Sequence, residues 1–309
     1  MKWNSDSDWI IEKPSFKSRI IMNNAKYWKD MSRRQKDIAD FCFHEHRPMN
    51  TSNVFKHDLH CWRFVVDFNG IRSLNEGVFI DTIVIDAWAL ILNKSVQYHN
   101  AQNSYLTRKF YFNTQHSSYL QGMLRATDPA VIDRMGYNAR SCWHFSMKQM
   151  LQLNDLKNIQ FFFIPICVNN HFIAVVVNFE HRKIQYLDNI LGNCEEDSDV
   201  WKLLDIVKNQ FSISLLDMEH PKALDMEYFP IEDVPFDWKS AKTNIDCGVF
   251  LMHHMEFFNG YPYISPNLLQ GPQRRKLRAE YCSRIILSDL NQCRDEILSE
   301  IFKFAKRKK

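Results

Sequence analysis

Three consecutive β-rich runs between Phe161 and Asn189 constrain the fold of this chain more than any other feature. The first run is continuous and aromatic. The second and third are separated by the polar stretch Glu180 to Lys183, which is typical of a hairpin turn. Helical periodicity occurs on both sides of these strands, in residues 81–98, 199–213, 247–258 and 273–305, with a shorter stretch near 147–153. Helices around a central group of strands predict an α+β domain.

The predicted hairpin carries two ionisable residues at its open end. His171 begins the second β-rich run, and Asp188 ends the third. A symmetric register about the turn sets Asp188 opposite Val175, and four residues of strand span about 13 Å. The carboxylate can therefore orient the imidazole only if the register shifts or a bulge intervenes.

Cys247 stands where an apolar helix is predicted to begin, directly after the turn-like sequence Asn-Ile-Asp. A sulfur at a helix N-terminus meets backbone N–H groups and the positive end of the helix dipole, and both favour the thiolate. Asp246 is expected to be the N-cap, and Gly248 to leave room for a substrate carbonyl beside the backbone. This placement predicts a nucleophile, with a structural cysteine as the alternative.

The order of these residues resembles the ubiquitin-like-protein-specific cysteine proteases, the SUMO (sentrin) protease family. The matching motifs are His171-Phe172, Tyr-Leu-Asp-Asn around Asp188, and Asp246-Cys247-Gly248. The stretch from Leu74 to Trp88 is similar to the family's aromatic-Leu-Asn-Asp sequence that leads into a helix. The likeness covers residues 70–300, and it has features of the plant and transposon-associated members in Trp238 and in residues 252–256.

The resemblance implies a papain-like cysteine protease fold, in which a central mixed sheet carries the histidine and a flanking helix carries the cysteine. It implies a thiol protease or isopeptidase that cleaves after the C-terminal Gly-Gly of a ubiquitin-like modifier, with SUMO as the first candidate. Cys247 is then the nucleophile, His171 the general base and acid, and Asp188 the residue that holds the imidazole. The implied partners are SUMO or another ubiquitin-like protein and its conjugates, and no cofactor or metal is implied.

Two aromatic residues depart from the family's pattern. Phe79 and Phe172 stand where the family usually has Trp. The resemblance places them on either side of the channel for the modifier's tail, with Gly248 beside it. Both substitutions keep a flat apolar wall and lose an indole N–H.

A third departure concerns the oxyanion hole. The family usually has a glutamine six residues before the cysteine, and this chain has Ala241 there. The loss of one such donor typically lowers the rate by a factor of about 100 to 1,000. The backbone N–H of Cys247 remains, and the candidates for a replacement donor are Lys239, Lys242 and Asn244.

The missing glutamine leaves two other functions open. One is a catalytically weak or inactive binding module for a ubiquitin-like protein. The other is a protease-like domain of a mobile-element protein, with a structural or assembly role. Activity on a modifier fusion distinguishes the enzyme from the binding module.

The 309 residues contain no Pro/Gly/Ser-rich linker, repeat or low-complexity tract. We predict one catalytic domain at residues 70–309 with an N-terminal extension at residues 1–69. Apolar residues make up 45% of the chain, enough to bury a large core without disulfides or metal. The eight cysteines show no paired spacing, which is typical of reduced thiols in the nucleus or cytoplasm.

Other patterns exclude some classes of partner. No apolar run reaches the roughly 18 residues of a membrane span, and the N-terminus lacks the shape of a signal peptide. A net charge of +3 does not indicate a nucleic-acid surface. Basic clusters at residues 274–278 and 303–309 are interpreted as solvated helix faces and a tail, with a nuclear import signal as the alternative.

A cluster in the extension supplies four imidazoles and two thiols: Cys42, His44, His46, His57, His60 and Cys61. Its spacing fits no standard structural zinc site, so a metal is not expected there. Three tryptophans in the same extension are expected to pack against the main domain, namely Trp9, Trp28 and Trp62.

Overall fold

A five-stranded mixed sheet forms the centre of the protein. The computed structural model describes residues 28, 30–44, 53–59, 62–102, 109–150, 156–192, 194–240 and 245–307. The strands are β3 (Lys109–Tyr111), β4 (Phe161–Val168), β5 (His171–Asn178), β6 (Lys183–Leu187) and β7 (Ile231–Asp233), and they lie in that order across the sheet. The two outer pairs are parallel, and the pairs β4–β5 and β5–β6 are antiparallel.

Helices cover both faces of this sheet. Those before β4 are α1 (Arg33–Phe43), α2 (Phe68–Arg72), α3 (Thr82–Gln102), α4 (Ser117–Arg125) and α5 (Pro129–Met150). Those after β6 are α6 (Asp199–Asp217), α7 (Cys247–Phe257), α8 (Pro266–Leu269), α9 (Gly271–Leu287) and α10 (Arg294–Arg307). A two-stranded hairpin, β1 (Asn53–Leu59) and β2 (Trp62–Asp67), stands apart from the main sheet.

Alternation along the central strands divides the core into two clusters. Phe161 and Phe163 of β4 face a cluster that also contains apolar residues of α1, α3, α7 and α9. Phe162 and Ile164 face the opposite cluster, which contains residues of α4, α5 and α6. Since β4 and β5 are covered on both faces, their sequences are continuously apolar rather than alternating. Cys247 belongs to the first cluster, so the predicted nucleophile lies on that face of the sheet.

The predicted helix over residues 273–305 is two helices rather than one. α9 ends at Leu287 and α10 begins at Arg294. Asn291 fixes the turn between them, because its side chain donates to the carbonyls of Val54 and Ile286 and accepts from the Lys56 amide. Helical periodicity continues through this break, so the sequence pattern does not reveal it.

Regular elements also occur in the described part of residues 1–69, although the sequence there shows no long period of either kind. α1 begins with a capping box in which the Ser32 side chain and Gln35 bond each other's backbone N–H groups. Ile38, Phe41 and Cys42 of α1 are buried in the same cluster as Cys247.

Among the described residues, we find no helix with the length and apolarity that crossing a membrane requires.

Candidate active site

A two-residue turn places His171 at the start of its strand. Asn169 and Asn170 have φ angles of 49° and 63°, and Val168 pairs with His171 across the turn. Asparagine tolerates this left-handed conformation better than most residues, and two such residues match the twist of a tight hairpin. The turn therefore fixes where His171 stands relative to the neighbouring chain.

The register of the next hairpin brings Asp188 within reach of His171. Asn178 pairs with Lys183 and Ala174 with Leu187, so continuing the pairing by one residue sets Asp188 opposite Ile173. The predicted pairing of Asp188 with Val175 was wrong by two residues, because Lys183 belongs to the strand and the loop begins at Phe179. His171 Nε2 donates to Asp188 Oδ1 across 2.6 Å.

Asp188 is held from a second direction by Tyr186. The Tyr186 hydroxyl donates to Asp188 Oδ2 across 2.6 Å, and both residues are buried. The two side chains are two positions apart on the strand and its continuation, so they point to the same face. Each carboxylate oxygen of Asp188 thus accepts a short hydrogen bond, which fixes the orientation of the group that holds the imidazole.

Cys247 is the first residue of α7, as predicted. Its side chain is buried, and its sulfur lies 4.0 Å from the carbonyl oxygen of Asn170 in the turn before His171. The first backbone N–H groups of a helix have no intrahelical acceptor, so they and the helix dipole stabilise negative charge at this sulfur. The arrangement suits a nucleophile.

The environment of His171 favours its protonated form. Burial lowers the pKa of His171, but hydrogen bonds with Asp188 and with the Cys247 side chain outweigh that effect and raise it to about 9. Since Nε2 is bonded to Asp188, Nδ1 is the ring nitrogen left for the sulfur. Cysteine, histidine and aspartate are thereby brought together in the order that nucleophilic catalysis requires.

Asp246 occupies the N-cap position of α7, but its side chain makes no capping hydrogen bond. Its carboxylate instead accepts from Arg274 Nε at 2.8 Å and from Arg278 Nε at 2.9 Å. The predicted N-cap position of Asp246 is confirmed, but its side chain does not cap the helix, because two arginines of α9 bind both carboxylate oxygens.

The basic cluster at residues 274–278 is not a solvated helix face. Arg278 is buried, and Arg275 pairs with Glu76. The second basic cluster lies partly in the last turns of α10, and residues 308–309 lie outside the described residues. The first cluster therefore does not present an accessible run of charges.

Gly248 is packed against the segment that precedes α3. A Cβ at this position would lie 2.8 Å from Ile80 Cβ and 3.0 Å from Ile80 Cδ1. The glycine is thus required by the close approach of α7 to Ile80. The predicted role of Gly248 beside the substrate tail stays a prediction.

The two expected channel residues differ in exposure. Phe79 is 52% exposed, whereas Phe172 is 4% exposed and packs in the cluster that contains Cys247. Phe79 is therefore accessible to an incoming chain, whereas Phe172 is part of the core. Their role in binding the modifier's tail remains a prediction.

Lys239 and the backbone N–H of Cys247 are the oxyanion candidates among the described residues. Ala241, Lys242 and Asn244 lie outside the described residues. The ammonium group of Lys239 forms an ion pair with Asp233 and lies 5.9 Å from the ring centroid of Tyr186. Use of Lys239 as an oxyanion donor would compete with that pair, and the backbone N–H of Cys247 stays available at the first turn of α7.

The histidine and cysteine residues of the extension do not converge in the described part. Cys42 is buried in the core, and His57 Nδ1 lies 3.2 Å from the carbonyl oxygen of Leu290. His46, His60 and Cys61 fall outside the described residues. No group of three or more metal-binding side chains occurs in the residues that the structure covers. Trp28 packs as expected, while Trp9 and the Trp62 side chain are not described.

Two residues at this site had no predicted role. Tyr186 could have been found, because it precedes Asp188 by two positions and so shares its face of the strand. Arg278 could not, because it lies 32 residues from the carboxylate it binds. Its basic sequence context is typical of a solvated face.

Sequence comparison connects the chain to a family of proteases. The family described as "Ulp1 protease family, C-terminal catalytic domain" matches residues 79–290. "Ubiquitin-like-specific protease 1A" of Arabidopsis thaliana is 24% identical over 196 residues, which cover 63% of this chain and 35% of that protein. "Putative ubiquitin-like-specific protease 1B" of the same plant is 27% identical over 132 residues, 42% of this chain and 36% of that protein. The matched part thus spans about a third of the length of these curated relatives.

Structural comparison gives the same fold. The C-terminal Ulp1 protease domain in complex with Smt3, the yeast ortholog of SUMO, superposes with a TM-score of 0.57 at 14% identity, covering 84% of this chain and 97% of that one. The Ulp1-like SUMO protease catalytic domain of Chaetomium thermophilum gives 0.53 at 14% identity, covering 82% and 89%. The predicted α+β, papain-like fold is therefore confirmed.

Proposed function

This chain belongs to the Ulp1 protease family, and we propose that it is a thiol peptidase that cleaves after the C-terminal Gly-Gly of a ubiquitin-like modifier. The observation that carries the proposal is the contact of His171 with both Asp188 and Cys247 at the N-terminus of α7. SUMO is the first candidate modifier, because the relatives are described as ubiquitin-like-specific proteases and one structural neighbour is described in complex with Smt3.

The first half of the reaction forms a thioester. The Cys247 thiolate attacks the carbonyl carbon of the last glycine, and the carbonyl electrons move to the oxygen. The backbone N–H of Cys247 and the dipole of α7 stabilise this oxyanion. When the intermediate collapses, protonated His171 gives its proton to the leaving amine, and the bond to the lysine or the following residue breaks.

The second half releases the modifier. Neutral His171 takes a proton from a water molecule, which attacks the thioester carbonyl. Collapse of this intermediate expels the thiolate and frees the modifier's carboxylate. Asp188 keeps the imidazole oriented in both halves, and Tyr186 keeps Asp188 oriented through its second oxygen.

The assembled triad favours an enzyme over a silent binding module. A module that only binds has no need for a buried carboxylate whose two oxygens both accept hydrogen bonds. It also has no need for a histidine such as His171, whose pKa is raised to about 9 because its bonds with Asp188 and Cys247 outweigh the effect of burial. Ala241 remains the feature that would lower the rate. We infer a working peptidase in a reducing compartment, the nucleus or cytoplasm, where the thiol stays available.

The test uses modifiers whose C-terminal Gly-Gly ends in an electrophile. Wild-type protein is incubated with electrophile-tipped SUMO, Nedd-type modifier and ubiquitin, and the covalent adduct is mapped by mass spectrometry. We expect an adduct at Cys247, formed fastest with SUMO, and none in Cys247→Ser. Cys167→Ser is the matched control, because Cys167 is partly buried near the same face of the sheet and should be dispensable.

Cleavage of a modifier fusion completes the test. Wild type and Cys167→Ser should release the free modifier, and Cys247→Ser should not. If no modifier reacts while Cys247 still reacts rapidly with a small electrophile, the site is a thiol nucleophile for another substrate. Adduct formation at Cys167, with cleavage retained in Cys247→Ser, would remove Cys247 from the mechanism.

A further inference from the structure

Arg278 of α9 is buried beside the helix that carries Cys247. Only 1% of its side chain is exposed. Its Nε donates to Asp246 Oδ1 at 2.9 Å, and its Nη2 donates to the carbonyl of Ile245 at 2.9 Å. Asp246 and Ile245 are the two residues directly before Cys247, so one guanidinium group binds the backbone and side chain that begin α7.

The same guanidinium also binds the segment that leads to α3. Its Nη1 lies 3.2 Å from the carbonyl oxygen of Ser73, and 3.1 Å from those of Asn75 and Val78. Phe79 and Ile80 follow directly, and Ile80 contacts Gly248 of α7. Arg278 therefore joins the start of the cysteine helix to the segment that packs on it.

The charges around Asp246 have a consequence for the sulfur. A carboxylate next to a cysteine disfavours the thiolate, because like charges repel. Asp246 is bound by two guanidinium groups, those of Arg274 and Arg278. Two guanidinium groups of α9 therefore outnumber the one carboxylate at the start of α7, and the summed charge beside the sulfur is positive rather than negative.

We propose that Arg278 is a positioning residue for Cys247: it fixes the first turn of α7 against residues 73–78 and, with Arg274, reverses the charge that Asp246 places beside the sulfur. This inference rests on the proposed role of Cys247 as the nucleophile. In this role, Arg278 acts on Cys247 through Asp246 and Ile245 and does not take part in the reaction itself.

The ionisation of Arg278 is consistent with this position. Burial lowers the pKa of Arg278 below its ordinary value, whereas Asp246 and the Cys247 side chain both oppose that change. Asp246 and the Cys247 side chain thus both stabilise the charged guanidinium. A lysine at the same position would keep the charge but lose the planar fork that binds Asp246 and Ile245 together.

A second arginine of the same helix provides a matched control. Arg284 of α9 binds both carboxylate oxygens of Glu256 at 2.9 Å, and Glu256 lies near the end of α7. This pair joins the same two helices as Arg278 does, but at the end far from Cys247. Its loss should loosen the helix contact without changing the first turn of α7.

The experiment measures the alkylation rate of Cys247 by iodoacetamide at fixed neutral pH, read from the Cys247 peptide by mass spectrometry. The variants are Arg278→Lys, Arg278→Gln, Arg274→Gln and Arg284→Gln, each with its urea unfolding midpoint. We expect the rate to fall roughly 10- to 100-fold in Arg278→Gln, because both the charge and the position of the thiol change. Arg278→Lys should recover part of that loss, and Arg284→Gln should react like wild type.

Equal rates in wild type and a folded Arg278→Gln protein would overturn the proposal, as would an equal loss in Arg284→Gln. If neither Arg278 variant folds, Arg274→Gln decides, because Arg274 is more exposed and contributes the second positive charge. An unchanged rate in Arg274→Gln would then refute the charge reversal, and a fall of several-fold would support it. Because iodoacetamide needs no modifier, these outcomes are independent of whether a ubiquitin-like protein is the substrate.

Discussion

His171 links the chemistry of the site to pH at the scale of a single residue. Its pKa in the folded protein is about 9, above the ordinary value of 6.5, because hydrogen bonds with Asp188 and Cys247 outweigh burial, which lowers it. A group whose pKa is raised by folding contributes stability that is fully present below its ordinary pKa. That contribution is lost as the pH rises through the folded value.

We therefore expect the difference in unfolding free energy between wild type and His171→Gln to be largest near pH 6 and to disappear above about pH 9. Urea unfolding at about pH 6, 7.5 and 9.5 measures it. A difference that stays constant over this range would mean that the imidazolium is not stabilised in the folded protein.

Tyr186 is the second residue whose contribution can be measured directly. Its hydroxyl donates to Asp188 Oδ2, and a hydrogen bond to a charged group contributes roughly 1.5–3 kcal/mol. We expect Tyr186→Phe to lower kcat for fusion cleavage by about tenfold or more, with a smaller change in KM, since the loss acts through Asp188 and His171.

Tyr281→Phe is the matched control for Tyr186→Phe. Tyr281 is also buried, but its hydroxyl has no hydrogen-bond partner within the part of the chain that is described. Removal of this hydroxyl should leave kcat unchanged. Equal kcat values in Tyr186→Phe and wild type would show that His171 alone is enough to hold Asp188.

Helix α7 is the element on which the site depends most. Its first nine residues are all buried, so it packs on every side instead of presenting one face to solvent. Its N-terminal end is enclosed by α9 through Arg278 and by Ile80 through Gly248. The position of the thiol is thus set by the neighbours of α7 as well as by its own sequence.

Gly248→Ala tests this packing. The added methyl group would lie 2.8 Å from Ile80 Cβ, which belongs to a branched and buried side chain. We expect a loss of about 1–3 kcal/mol in unfolding free energy and slower alkylation of Cys247. Gly271→Ala is the control, since a Cβ there would meet its nearest atom at 3.9 Å. If Gly248→Ala is as stable and reactive as Gly271→Ala, the approach of Ile80 does not position the thiol.

At the scale of the whole molecule, the described residues before position 70 share a core with the proposed catalytic domain. Phe41 of α1 makes edge contacts with Phe68 and with Phe304 of α10, at ring-centroid distances of 6.0 and 5.6 Å. It belongs to the cluster that contains Cys247. The division at residues 69 and 70 stays a prediction from the motifs, and this packing indicates that the parts on either side of it unfold together.

We expect Phe41→Ala to cost about 3–5 kcal/mol and to keep a single unfolding transition. The measurement is urea unfolding followed both by circular dichroism and by exposure of the Cys247 thiol. Phe302→Ala, at an exposed position of the same α10 helix, should have little effect. A first unfolding transition at low urea, with the Cys247 thiol still buried, would instead mean that residues 1–69 unfold separately from residues 70–309.

The sequence alone determined the elements whose signals are local. Apolar periodicity predicted α3, α6 and α7 and the three central strands, and the cap-like sequence before Cys247 predicted where α7 begins. Each of these depends on residues within a few positions of one another. The resemblance added the expected roles of cysteine, histidine and aspartate, and the papain-like fold.

Only the tertiary structure decided what depends on distant residues. The register of β5 and β6 follows from which residues enter the strands. A shift of two positions decides whether Asp188 lies too far from His171 or forms a hydrogen bond with it. The basic sequence around Arg278 predicts a solvated charge. In the structure, Arg278 is buried and binds Asp246, Ile245 and residues 73–78. A side chain's partner is set by packing over long sequence separations, and no local pattern records it.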